Sequence, residues 1–249
     1  MVLLRLRAVL VMAAVVVLAG ATPARAISGG EAVAPGEFSW MVRLLPVDCG
    51  GTLIEPRLVL TAKHCLDDRP GDGFTVVAGV VDLADPARDT VASVATYTPP
   101  GEWFDNDWGL LKLAAPMSLP TLPLATDRID PETVTVTGWG AASWEGEQQR
   151  HLQKVELPFL PDAQCGENPD HYDQYLCTRT VNRRSFCHGD PGGPGLRRLA
   201  HGRWEQVGIV SFGSDCEWEN NEDAKPVFTD VAYFAPDIRR ASRRLVSGG

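Results

Sequence analysis

The sequence predicts an all-β fold, a barrel or sandwich of many short strands, on three observations. Short runs rich in Val, Thr, Leu and aromatic residues recur from residue 27 onward. Turn residues separate them, as at Asp72-Gly73, Pro99-Pro100-Gly101 and Pro191-Gly192-Gly193. Only the last stretch carries helical spacing. Many short strands over about 220 residues, with no repeat and no low-complexity linker, belong to this class.

In chain order, residues 1–26 read as a secretory signal peptide. Arg5 and Arg7 precede an uncharged apolar run from Ala8 to Gly20, and small residues lead to Ala24-Arg25-Ala26. The run is shorter than the roughly 20 apolar residues that cross a bilayer. No later segment is longer, so a secreted, extracellular protein with no membrane association after cleavage is expected. Cleavage after Ala26 exposes Ile27, whereas cleavage nearer Ala21 leaves a short Thr22–Ala26 propeptide. Residues 27–249 suit one compact two-layer or two-barrel unit. Strands are expected at Met41–Leu45, Leu58–Thr61, Phe74–Ala78, Val91–Thr96, Leu110–Leu113, Thr133–Thr137, Leu152–Leu157, Trp204–Val210 and Val227–Val231. The Pro-rich segment Pro116–Pro131 is expected to join two halves. A helix is expected over Asp237–Val246, where Ile238, Ala241, Leu245 and Val246 recur at helical spacing between Arg239, Arg240, Arg243 and Arg244.

Lys and Arg number 23 against 32 Asp and Glu, a formal net charge of −9. The leader's charges are all arginines, so the processed chain is more acidic still. That balance argues against nucleic acid as a partner, and a monomer is expected. Six cysteines remain, at Cys49, Cys65, Cys165, Cys177, Cys187 and Cys216. An even count in an exported chain implies three disulfides without fixing which residues pair. No Cys-x-x-Cys pair is present, and neither a metal nor another cofactor is expected.

Three segments carry chemistry-bearing residues. Thr61-Ala62-Lys63-His64-Cys65 places a histidine just after an apolar strand. Asn106-Asp107-Trp108-Gly109-Leu110-Leu111 places an aspartate at the start of another. Gly189-Asp190-Pro191-Gly192-Gly193-Pro194 is a glycine-rich turn. Gly138-Trp139-Gly140 and Gly208-Ile209-Val210-Ser211-Phe212-Gly213 are further landmarks. Each alone has a bland reading as a turn or a surface histidine; their order does not.

In that order the segments resemble the trypsin/chymotrypsin family of serine proteases. The likeness runs the whole length beyond residue 26. It begins at Ile27-Ser28-Gly29-Gly30, where the family has Ile-Val-Gly-Gly, and ends at Val227-Phe228-Thr229-Asp230-Val231. At Cys187-His188-Gly189-Asp190-Pro191-Gly192-Gly193-Pro194 the family has Cys-x-Gly-Asp-Ser-Gly-Gly-Pro. The resemblance implies two six-stranded antiparallel β-barrels, about residues 27–125 and 130–235, with a short terminal helix at about 236–246. It implies the pairings Cys49–Cys65, Cys165–Cys177 and Cys187–Cys216. It also implies His64 as general base, Asp107 as its orienter and Ser211 as a further donor to Asp107. Gly189 would supply an oxyanion donor, and Asp190 would pair with a new amine at Ile27. Ser185, Ser211 and Gly213 would line the specificity pocket. Ser185 at its floor, in place of an aspartate, implies apolar or aromatic rather than basic side chains. The segment Lys225-Pro226-Val227 departs from the family pattern, and no acidic loop after Ala78 resembles the family's calcium site.

The nucleophile position is Pro191. Acyl transfer by this machinery needs a hydroxyl, an imidazole, a carboxylate and backbone N–H donors. Proline has no hydroxyl and no N–H, so one residue removes the nucleophile and the oxyanion donor that the nucleophile residue itself provides. In the template system, loss of a triad member leaves roughly 10³–10⁴-fold catalysis over water, owed to the oxyanion hole and binding. Losing one oxyanion donor costs on the order of 10²–10³. Ser185 and Ser211 are poorly placed to substitute. The expectation is therefore a catalytically inactive homologue acting by binding a protein or peptide in its cleft. The alternatives are a working endopeptidase whose codon 191 differs from that given, since Ser and Pro codons can differ by one base, and a purely structural protein on the same scaffold.

Overall fold

The computed structural model describes residues 27, 29–67, 73–102, 105–128, 130, 132–165, 173–182, 184–213, 216 and 224–247. The expected signal peptide, Ser28 and Asp72 lie outside them. Strand β1 is Glu31–Ala32, β2 Met41–Leu45, β3 Cys49–Glu55, β4 Leu58–Thr61, β5 Thr75–Ala78, β6 Asp89–Tyr97 and β7 Gly109–Leu113. Then follow β8 Thr133–Gly138, β9 Gln153–Leu160, β10 Tyr175–Thr178, β11 Pro194–Arg198, β12 Trp204–Phe212, β13 Val227–Asp230 and one helix, α1, Val231–Ser247.

Every pairing between these strands is antiparallel, and they form two closed barrels. The first runs β2-β3-β4-β7-β6-β5. In the second, β8-β9-β10-β13-β12-β11 closes through Gly195 opposite Val136 and Leu196 opposite Thr135. The short strand β1 lies outside this ring, adding to β9 with Glu31 opposite Lys154. Closure leaves each barrel without a free sheet edge. Apolar side chains from alternate positions fill the interiors: Val42, Leu44, Leu53, Leu60, Val76 and Leu110 in the first, and Val134, Val136, Leu157, Val210 and Phe228 in the second.

Several expected elements shift. The strand expected at Val227–Val231 ends at Asp230, and Val231 opens the helix. The helix thus starts six residues before the expected Asp237. Its first turn is capped by Asp230, whose Oδ1 accepts from Tyr233 N–H at 3.0 Å. Pro236 lies inside it, where it withholds a backbone donor from the helix. The buried face of α1, Val231, Phe234, Ile238 and Ala241, joins the core of the first barrel although the helix continues from the second. Strand β9 runs on to Leu160, past the expected Leu157, and β12 to Phe212, past Val210. Strands β1, β3, β10 and β11 were not expected. Three disulfides are formed among the described residues, Cys49–Cys65, Cys165–Cys177 and Cys187–Cys216. No helix among the described residues is long and apolar enough to cross a membrane.

Candidate active site

His64 sits on the turn that follows β4. The disulfide from Cys65 to Cys49 ties the next residue to the first residue of β3. Asp107 sits two residues before β7. Gly109 lets the two segments close on each other, because a Cβ there would lie 2.7 Å from Leu66 Cδ1 and 3.3 Å from the Tyr97 carbonyl. Strands β4 and β7 are paired, with Thr61 opposite Gly109, so the sheet register sets both residues at one end of the first barrel.

The side chains meet there. His64 Nδ1 lies 2.9 Å from Asp107 Oδ2 and 3.1 Å from Oδ1, and the His64 backbone N–H donates to Oδ1 at 3.0 Å. Ser211, near the end of β12, donates its hydroxyl to Asp107 Oδ2 at 2.5 Å. Thr229 on β13 donates to the Asp107 carbonyl at 2.8 Å. Asp107 is 2% exposed, and the His64 and Ser211 donors satisfy a carboxylate that burial alone would penalise. A carboxylate beside Nδ1 holds the proton on that nitrogen, leaving Nε2 as the basic one. The His64 side chain is 30% exposed, open enough to meet a substrate. Two of the donors come from the second barrel, so the site exists only where the barrels join.

The glycine-rich turn between Cys187 and Pro194 packs against the same end. Its backbone folds on itself, with Asp190 N–H donating to Cys187 C=O at 3.0 Å and Gly193 N–H to Asp190 C=O at 2.9 Å. It is pinned to the first barrel through Gly50 N–H, which donates to Pro191 C=O at 2.8 Å. Gly192, at φ 82°, would place a Cβ 2.2 Å from Thr61 Oγ1 and 3.2 Å from Ala62 N, so no other residue fits there. The turn bearing Pro191 therefore lies against the segment that leads into His64. Pro191 itself is half-buried and offers neither hydroxyl nor N–H.

Asp190 is fully buried. Its Oδ1 accepts from Gly140 N–H at 2.8 Å and its Oδ2 from Cys187 N–H at 2.9 Å. Burial pushes this carboxyl up to about 7, opposed by those two N–H groups and by the charge of Arg43. The motif Gly138-Trp139-Gly140 explains itself here: a Cβ at Gly138 would lie 2.0 Å from Asp190 Oδ1, and one at Gly140 2.4 Å from its Cγ. Sequence reasoning singled out the motif without finding this role. The expected pairing of Asp190 with the Ile27 amine concerns the chain cleaved after Ala26; in the uncleaved chain the Ile27 nitrogen belongs to a peptide bond. Ile27 is fully buried in the core of the second barrel, near Val134, Val136 and Leu157.

Of the expected pocket residues, Ser185 is fully buried and Ser211 is 5% exposed. Gly213 follows β12 at φ 75°, where a Cβ would meet Lys225 C=O at 2.7 Å. The Cys187–Cys216 disulfide joins the segment after Ser185 to the segment after Gly213. Two groups bring cysteine and histidine together, Cys49, His64, Cys65 and Cys187, His188, Cys216. In both, the sulfurs are bonded to each other and cannot serve as thiolate ligands.

The trypsin family profile matches residues 27–238. The chain belongs to the trypsin family of serine proteases. It is 38% identical over 238 residues to a trypsin-like protease of Streptomyces glaucescens, covering 91% of this chain and 86% of that protein. It is 29% identical over 230 residues to coagulation factor IX of Oryctolagus cuniculus, covering 84% and 82%. Ovochymase-2 of Mus musculus is 31% identical over 243 residues, but the match spans 40% of that longer protein. Within this trypsin-family chain, His64 and Asp107 stand in hydrogen-bond contact at the barrel junction, and the position three residues before Pro194 is proline.

Proposed function

We propose that this protein is a secreted trypsin-family member that engages a peptide or protein at the His64 site without cleaving it. One observation carries this reading: the half-buried Pro191 occupies the turn that faces the His64 segment, and it lacks both groups the chemistry requires there. With a serine at 191, its Oγ would attack a substrate carbonyl and pass its proton to His64 Nε2. The leaving amine would then take that proton, and water would release the acyl group. With proline no acyl bond can form, and Gly189 remains the one backbone donor of the pair. Secretion is supported by the leader and by three disulfides, which persist in oxidising compartments.

A second reading, a working endopeptidase whose position 191 is serine, is favoured by the complete set of donors around Asp107. Ser211, Thr229 and His64 are all retained, and an unused site has no chemical need of them. The two readings part on one pair of proteins. The Pro191 chain and its Pro191→Ser counterpart are treated with an organophosphorus probe for nucleophilic serines and with a mixed peptide library. We expect the parent to stay unlabelled and Pro191→Ser to be labelled and to cleave. Labelling of the parent would overturn the inactive reading. An unlabelled Pro191→Ser chain would show that the defect extends beyond residue 191.

A further inference from the structure

Strand β2 reads Met41-Val42-Arg43-Leu44-Leu45, with one cation in an apolar run. Arg43 is 3% exposed. Burying a guanidinium is costly unless its donors are taken up, and burial lowers its pKa. One arm, Nη2, reaches Asp48 Oδ1 at 2.7 Å. Asp48 is 71% exposed at its side chain, so this pair is screened and contributes little. The other arm, Nη1, turns inward and donates to Gly189 C=O at 3.0 Å across 146 residues of sequence. Gly189 is at φ 93°, a conformation with no intrinsic hold on a single geometry. Its neighbour Asp190 feels the Arg43 charge, and its two oxygens have neutral backbone N–H groups as their hydrogen-bond donors.

We propose that Arg43 is the resident cation of the glycine-rich turn. It is a positioning residue that fixes the Gly189 carbonyl and balances the buried Asp190 carboxylate while Ile27 is still joined to residue 26. The donor N–H of Gly189 is then set without a free amine at Ile27. The trypsin-family site would in this chain be ordered by a side chain of the first barrel rather than by processing. The inference rests on the proposed reading of the site only where activity is the readout.

The test uses the chain beginning at Thr22, in which Ile27 has no free amine, and the same chain beginning at Ile27. Each is made as parent, as Arg43→Met, which removes the charge and keeps a long side chain, and as Arg43→Lys, which restores the charge. In the Thr22 form, hydrogen exchange at the amides of Asp190, Gly192 and Gly193 should be about 10-fold or more faster in Arg43→Met than in the parent. Exchange should return to within about 3-fold in Arg43→Lys. The titration midpoint of the Asp190 carboxyl, followed by carbon NMR, should move above about 7 in Arg43→Met and back in Arg43→Lys. In the Ile27 form the new amine should restore protection to Arg43→Met. Unchanged exchange in Arg43→Met, or equal effects of both substitutions with an unmoved midpoint, would overturn the proposal in favour of simple packing. A third arm places Pro191→Ser in each chain. With Arg43 present, kcat/KM should agree within about 3-fold between the two starts; with Arg43→Met the Thr22 form should lose about 10²-fold. If Pro191→Ser is silent at both starts, the reading of residue 191 as the single fault fails, while exchange and titration still decide the role of Arg43.

Discussion

Asp190 shows at the scale of one residue how the turn depends on what is absent around it. Its carboxyl fits because Gly138 and Gly140 have no Cβ. Gly140→Ala forces a methyl onto the carboxylate and should cost about 1–3 kcal/mol as overpacking; urea unfolding of the variant beside the parent measures this, and an unchanged midpoint would refute it. The same burial makes stability depend on pH. The folded pKa, about 7, lies above the ordinary 3.8, so the folded state holds this proton more tightly than the unfolded one. Its contribution is fully present below about pH 4 and is lost as pH rises through 7. With no free amine at Ile27, the parent should lose up to about 4 kcal/mol across that window relative to Asp190→Asn. Unfolding both proteins at pH 4, 5.5 and 7.5 reads the difference directly, and parallel curves would contradict it. Much of this residue-scale picture was legible. His64, Asp107 and Ser211 stand in ordered motifs and meet at 2.5–3.1 Å. Arg43 was not read as functional, although a lone cation inside Met41–Leu45 was a visible signal. The pairing of Asp190 with an Ile27 amine depends on whether the bond before Ile27 is intact, a covalent state that the order of residues does not encode.

Elements were legible where side chains alternate and obscure where glycine or proline breaks the pattern. Strands β2 and β4 match their expected bounds residue for residue. Strand β3 begins Cys49-Gly50-Gly51, and those glycines are demanded by close neighbours: a Cβ at Gly50 would lie 3.2 Å from Gly193 and one at Gly51 2.9 Å from Val59. Strand β11 begins Pro194-Gly195 for a similar reason, with Phe228 3.0 Å from a Cβ at Gly195. Close packing inside and between the barrels thus removes the residues by which a strand is usually recognised. In α1, Pro236 hides a start that Asp230 secures. The helix is also where an element-scale substitution should tell most. Phe234 is 4% exposed and lies 6.3 Å, ring centre to ring centre, from Trp108, the neighbour of Asp107. Phe234→Ala should cost about 3–5 kcal/mol, measured by urea unfolding, whereas Tyr233→Ala on the exposed face should cost much less.

Across the whole molecule, the two barrels are joined at several places, among them α1 in the first barrel's core, Ser211 and Thr229 on Asp107, Arg43 on Gly189, and Gly50 on Pro191. Barrels joined so closely should melt as one. Scanning calorimetry is expected to give a single transition with calorimetric and van't Hoff enthalpies in agreement, and two resolved transitions would show the junction to be weaker than its contacts imply. Ser211→Ala and Thr229→Val together should leave the transition single while lowering its midpoint. The two-barrel architecture was legible because the motifs of the trypsin family span both halves. The division of labour was less so, since the helix that continues the second barrel completes the first.

Gly50 reaches the turn through the carbonyl of residue 191, the one polar backbone group that serine and proline have in common. The anchoring of the fold at that position is therefore blind to which of the two is present. On the proposed reading, Pro191→Ser would restore a hydroxyl while leaving this anchor in place, so a change of chemistry there need carry no loss of the fold.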